Sequence, residues 1–122
     1  DMELRLPSGL QLLNREYPTL VFNGLKDEVQ ENLEYCRLDK NKSLISQLMS
    51  ALHERNIQSV LVEGGARLLQ SFLDADTWDE ARVITNSRLY IRDGLQAPVA
   101  GKGCITDLVQ LDDDRISIRL ND

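Results

Sequence analysis

Apolar and polar positions recur with two different periods along this chain, and the changes of period mark its elements. Thr19 to Asn23 is a short apolar run closed by Asn23-Gly24 and predicts a strand. Glu34 to Leu38 predicts a second, with Tyr35 and Arg37 on one side and Cys36 and Leu38 on the other. Between them the acidic segment Lys26 to Asn32 predicts a helical turn or a loop. Leu44, Ile45, Leu48, Met49 and Leu52 share a helical face, so a helix is expected from about Ser43 to Arg55, capped by Asn41 or Ser43 and stopped at Asn56.

The run Ser59-Val60-Leu61-Val62 suits a buried strand and leads through Glu63, Gly64 and Gly65 into Leu68, Leu69, Phe72 and Leu73 at helical spacing. Asp79 to Asn86 predicts another strand, with Ala81, Val83 and Thr85 opposite Arg82, Ile84 and Asn86. Ser87 to Gly103 has no period and is broken at Gly94, Pro98 and Gly101; it reads as a long loop, and such loops in compact domains are often functional. Asp107 to Leu111 and Arg115 to Leu120 flank Asp112-Asp113-Asp114 and predict an antiparallel hairpin with a solvated acidic turn. The expected class is α/β: a mixed, largely parallel sheet flanked by helices and finished by a C-terminal antiparallel hairpin.

Composition narrows the function. A chain of 122 residues with 42% apolar content fits a single domain over 1–122. A net charge of −6 argues against a nucleic-acid partner, which needs a basic face to displace counterions. No apolar run approaches the roughly 18 residues of a membrane span. Cys36, Cys104 and the single His53 have no metal-ligand spacing, so no metal is expected; the cysteines read as small buried or half-buried residues of a reducing, cytoplasmic compartment, with a disulfide left open. His53 near a helix end has an ordinary structural reading, and adjacent carboxylates in the Asp112 to Asp114 turn lack a cage of oxygen ligands. There is no Gly-x-Gly-x-x-Gly fingerprint and no serine nucleophile elbow.

Chemistry concentrates at Glu63-Gly64-Gly65. A helix starting after paired glycines presents unpaired N–H groups and the positive end of its dipole, and glycines let a phosphate approach the backbone. Glu63 would repel that phosphate, so it should accept from another ligand group, such as the N–H edge of a heterocycle or sugar hydroxyls. A tight strand-to-helix turn in which Glu63 merely caps or charges the first helical turn fits the same pattern.

The run Val60-Leu61-Val62-Glu63-Gly64-Gly65, followed by Leu69, Phe72-Leu73 and Trp78-Asp79-Glu80-Ala81, resembles the C-terminal reductase domain of the bifunctional riboflavin-biosynthesis deaminase/reductase, in the dihydrofolate-reductase-like superfamily. Leu4-Arg5-Leu6-Pro7, Thr19 to Asn23, and Asp93-Gly94-Leu95-Gln96-Ala97-Pro98 fall in the same order, so the likeness covers nearly the whole chain. It implies NADPH-dependent reduction of 5-amino-6-(5-phosphoribosylamino)uracil, with hydride passing to the sugar C1′ to leave a ribityl chain. It further implies that Glu63 contacts substrate and that Gly65, Ala66, Arg67, Leu68, Leu69, Gln70 and Ser71 contact NADPH, the first three most directly. No catalytic residue is assigned.

Two departures accompany it. Related domains are about twice as long, and their earlier half carries substrate-phosphate contacts and an aspartate near the hydride-transfer site, so this chain, which opens on Asp1, is expected to be an incomplete and inactive fragment with the N-terminal half absent. Arg92 stands where relatives often carry a glycine, as a solvated side chain or a ligand-facing cation. A homodimer and a fused deaminase domain in the parent chain are expected partners. The competing class is a non-catalytic assembly or dimerisation domain that keeps the reductase fold.

Overall fold

A computed structural model describes residues 1–121, which divide into two compact units, Asp1–Val60 and the described residues from Leu61 onward. The first holds a single 3₁₀ turn at Gln11–Leu13, strands β1 (Thr19–Asn23), β2 (Glu28–Gln30) and β3 (Leu33–Arg37), and helix α1 (Leu44–Glu54). Its sheet has the order β1-β3-β2, with β1 parallel and β2 antiparallel to the central β3.

Parallel neighbours usually need a crossover of about a dozen residues or more. Residues 24–32 achieve it in fewer because the chain crosses the end of β3 and returns as β2 on its far side. Asn23 holds that crossing and is completely buried. Its Nδ2 donates to Lys26 O (2.9 Å), Val21 O (3.3 Å) and Cys36 O (3.3 Å), and its Oδ1 accepts from the Leu25 and Lys26 amides at 2.8 Å each. Asp27 Oδ1 adds a bond from Arg37 N at 2.7 Å.

The acidic segment after Lys26 is thus neither helical turn nor loop, since its middle forms β2. Val29 is its one apolar residue, so it carries no period of its own, and pairing with β3 makes the strand. Lys26 lies 4.1 Å from the centroid of the Tyr35 ring and ion-pairs with Glu28, the residue opposite Tyr35. Lys26, and then Gln30, hold the Glu28 carboxyl below the usual range.

Helix α1 starts where expected, with Ser43 Oγ accepting from Ser46 N at 3.4 Å, and ends at Asn56, whose φ of 56° is a conformation asparagine tolerates. Ile45 and Ala51 are buried with Leu33 and Leu38, and Leu48 and Leu52 are half-buried; Leu44 and Met49 lie on the outer flank. Gln47 fastens the loop before the helix, its Oε1 accepting from Asp39 N (2.8 Å) and its Nε2 donating to Asp39 O (3.0 Å). Cys36 is half-buried, and burial pushes its thiol pKa up.

The second unit holds helix α2 (Ala66–Asp74) and strands β4 (Glu80–Asn86), β5 (Cys104–Leu111) and β6 (Asp114–Leu120), ordered β4-β6-β5 and antiparallel throughout. The expected C-terminal hairpin is β5-β6. It begins earlier, at Cys104, because a bulge between Ile105 and Asp107 restores the register. Cys104 is exposed rather than buried or half-buried, as is every residue of β5. The acidic turn is put to use: Asp113 pairs with Arg88 (3.1 Å) and Asp114 Oδ1 accepts from Asn86 Nδ2 (2.7 Å). Gly103 is required by both backbone and space, with φ 85° and a Cβ position 2.6 Å from Leu120 O.

The class is mixed α/β with two small sheets, and among the described residues the one parallel pair is β1-β3. The larger parallel share expected from the sequence needed residues 59–62 as a buried strand. Those residues form no strand and pair in neither sheet, and Val60 and Leu61 are 49% and 84% exposed. A run of consecutive apolar residues fits a strand covered on both faces and paired on both edges, and here it has no strand partner. Among the described residues no helix is long and apolar enough to cross a membrane.

Candidate cofactor and substrate site

The two glycines before α2 do different things. Gly64 has φ 149°, a conformation that side chains rarely adopt, so the turn out of the apolar run demands glycine there. Gly65 has φ −67° and ψ 149°, which any residue accepts, and a Cβ built on it meets nothing within 4 Å. Neither the backbone nor the packing of this unit calls for glycine at 65.

Gly65 is the N-cap of α2 and has no side chain with which to cap it. The Leu68 and Leu69 amides turn back on Gly65 O at 3.0 and 3.3 Å. The amides of Ala66 and Arg67 precede these bonds and sit at the positive end of the helix dipole, so an anion there meets donors and favourable potential together. These residues fit the phosphates of a nucleotide cofactor, and the missing Cβ at 65 is the physical feature that makes the fit.

Further along, side chains are committed to the protein itself. Leu68 and Leu69 are half-buried and Phe72 is buried, which makes them packing residues. Ser71 Oγ donates to Arg67 O at 2.8 Å, one turn back. Gln70 is engaged on both faces of its amide: Oε1 accepts from Val99 N at 2.9 Å, and Nε2 donates to Asp74 Oδ1 at 2.8 Å and to Val99 O at 3.4 Å. Arg67 is exposed, as is Glu63 at the end of the apolar run. Of the seven residues expected to face the cofactor, Gly65, Ala66 and Arg67 lie at the open helix end.

Residues 87–103 form the long loop expected, and Arg92 within it is exposed. Asn86 starts the loop by accepting from the Arg88 and Leu89 amides at 2.8 and 2.7 Å. Lys102 fastens its far end to Asp76 at 2.8 Å, and this ammonium, followed by Asn121, holds the Asp76 carboxyl below its usual range. Sequence reasoning missed these anchors because their partners are distant along the chain and polar, with no periodic signal.

Two concavities open in this unit. One of about 390 Å³ lies on the β4-β6-β5 sheet between Val83, Leu108, Arg115 and Arg119, with Pro98 to Ala100 at its rim; the other, of about 250 Å³, lies among Leu73, Trp78, Val99 and Lys102. Neither includes the glycine junction. The larger is walled mainly by apolar strand and loop residues, whereas backbone donors suited to a phosphate are at the N-terminal end of α2.

Among the described residues, two three-stranded sheets and two α-helices make a mixed α/β fold, with a Glu-Gly-Gly junction opening the second helix. The RibD C-terminal domain matches residues 1–90, and the chain belongs to that family. It is 28% identical over 89 residues to a 2,5-diamino-6-ribosylamino-4(3H)-pyrimidinone 5′-phosphate reductase of Archaeoglobus fulgidus, an alignment covering 68% of this chain and 41% of that protein. Among solved structures it is similar to the riboflavin biosynthesis reductase Rib7 of Saccharomyces (TM-score 0.75, 18% identity, 98% of this chain and 66% of that one). It is also similar to the diaminohydroxyphosphoribosylaminopyrimidine deaminase/5-amino-6-(5-phosphoribosylamino)uracil reductase of Thermotoga maritima (TM-score 0.73, 22% identity, 93% and 34%). At such identities the structural likeness is one of fold. The chain spans about two fifths of the archaeal relative's length.

Proposed function

We propose that this chain carries the cofactor-phosphate and pyrimidine contacts of a riboflavin-biosynthesis reductase, a cytoplasmic enzyme that reduces 5-amino-6-(5-phosphoribosylamino)uracil to its ribitylamino product with NADPH. The observation that supports the reading is Gly65: it leaves the donor end of a nine-residue helix open, with no positive φ and no close neighbour that excludes a Cβ. Gly65, Ala66 and Arg67 hold the dinucleotide through backbone amides. Leu68 and Leu69 support that turn from the packed side, and Gln70 and Ser71 brace it. Glu63, one residue before the turn, accepts from the N–H edge of the pyrimidine. The bound nicotinamide supplies the hydride, and the residues named here bind and orient.

The family membership and the archaeal relative's reductase activity support the reductase class. The test separates the two ligands. Glu63→Gln keeps the shape of the side chain and removes its charge, so affinity for the phosphoribosylaminouracil should fall about tenfold or more while NADPH affinity stays put. Equal loss for both ligands would reject the division of labour. The isolated chain is expected to turn over little or no substrate, and normal NADPH oxidation by it would contradict this.

A second reading, an assembly domain, draws on exposed apolar strand residues: Ile84 is 66% and Leu108 58% exposed. It supports a homodimer, and is compatible with a parent chain bearing a fused deaminase. Sedimentation at several concentrations tests it, with a strictly monomeric chain as the contrary result.

A further inference from the structure

We infer that Gln70 is a positioning residue for the nucleotide site, acting through Val99, and that it aims residues 94–98 at the open end of α2. The inference rests on reading that helix end as the nucleotide-phosphate site.

Gln70 grips the Val99 peptide from both sides, accepting from its N–H and donating to its C=O, as a neighbouring strand would. Such pairing fixes orientation as well as distance. A second anchor, Lys102 to Asp76, lies just past the C-terminal end of α2. The two anchors give the loop a direction. From Val99 to Lys102 the chain reaches at most about 10 Å, and from Gln70 to the end of α2 at Asp74 the helix rises about 6 Å, with Asp76 two residues beyond. The loop therefore runs alongside α2 in the helix's own N-to-C direction.

We extend this direction backwards from Val99, past Pro98 at the rim of the sheet concavity, toward Gly65. Gln70 lies about 7.5 Å along the helix axis from Gly65, and residues 94–98 reach up to about 17 Å. Pro98 stiffens the link, because its ring fixes its own φ and restricts Ala97, so holding Val99 also holds Ala97. Gln96 and the Ala97 amide are then the groups presented to the ribose and diphosphate. Both residues are exposed, and no hydrogen bond within the chain is recorded for the Gln96 side chain among the described residues. Gln70 thus acts on the nucleotide at one remove, in place of the direct contact that the family likeness implied.

The experiment compares the wild-type chain with Gln70→Met, Gln96→Ala and Gly65→Asp by NADPH titration and by amide hydrogen exchange over residues 95–99. Wild type should bind NADPH and gain protection there. Gln70→Met, which keeps the side-chain shape and loses both Val99 bonds, should bind about tenfold more weakly and lose that NADPH-induced protection. Gln96→Ala, an exposed change that leaves folding alone, should weaken binding while Val99 stays protected. Loss of binding in Gly65→Asp combined with wild-type affinity in both glutamine variants rejects this inference alone. Wild-type affinity in Gly65→Asp rejects the underlying reading of the helix end, and absence of NADPH binding by the wild-type chain rejects both.

Discussion

Arg55 grips Glu34 with two nitrogens, Nε donating to Oε2 at 3.1 Å and NH2 pairing with Oε1, while its NH1 donates to Ala51 O at 2.6 Å. The pair ties the end of α1 to β3 and is only about one third exposed on either side. Geometry of this kind is worth more than an ordinary surface ion pair.

Arg55 holds the Glu34 carboxyl below its ordinary value of 4.5, and Arg55 in turn is raised and stays protonated. A depressed folded-state carboxyl contributes stability that is complete above its unfolded value and is lost as pH falls through the folded one. Glu34→Gln should therefore cost about 1 kcal/mol near neutrality. The difference from wild type should shrink below about pH 4.5. Urea unfolding of both proteins across that window measures it; a difference independent of pH would show that the pair contributes nothing through charge.

Asn23 predicts a pH dependence of a different origin, in which the variant and not the wild type titrates. Asn23→Asp puts a carboxylate oxygen against the carbonyls of Val21, Lys26 and Cys36 in a site with no solvent access. The loss should be about 3 kcal/mol at neutral pH. It should lessen on acidification, because the protonated acid can donate again and its folded-state pKa is raised. Denaturation midpoints at neutral and acid pH check this, and a neutral variant as stable as wild type would remove Asn23 from its role at the crossover.

The paired glycines should part company under alanine substitution. Gly64→Ala forces a side chain into φ near 149° and should cost about 1–3 kcal/mol. Gly65→Ala keeps an ordinary conformation and meets no atoms, so it should cost only the difference in N-cap preference, about 0.5–1 kcal/mol. Thermal unfolding distinguishes them, and equal losses would mean that Gly65 also serves the fold.

Local signals were legible in the sequence where one segment sufficed to make them. Strand β1 and helix α1 with its Ser43 cap follow from runs that bury or cap themselves. Strand β2 was not legible, because Val29 alone gives no period and the strand exists through its pairing with β3. The run at 59–62 failed in the other direction: its apolar residues read as a buried strand, yet burial and pairing are properties of neighbours that its own residues do not supply. At the junction, the sequence pointed to Gly64 and Gly65 together, and the backbone angles assign one to the turn and the other to open space. The role of Gln70 was hidden because its partner Val99 lies in a segment without periodicity.

The central claim is that the backbone donors opening α2 hold a nucleotide's phosphates. Aspartate is a favoured helix N-cap, so Gly65→Asp should leave the melting temperature unchanged or slightly raised, while its charge and bulk occupy the phosphate position. NADPH titration of wild type and Gly65→Asp, with melting curves on the same samples, is the direct measurement. The account predicts saturable binding by wild type and at least about a hundredfold weaker binding by a fully folded Gly65→Asp; equal affinity in the two proteins would contradict it.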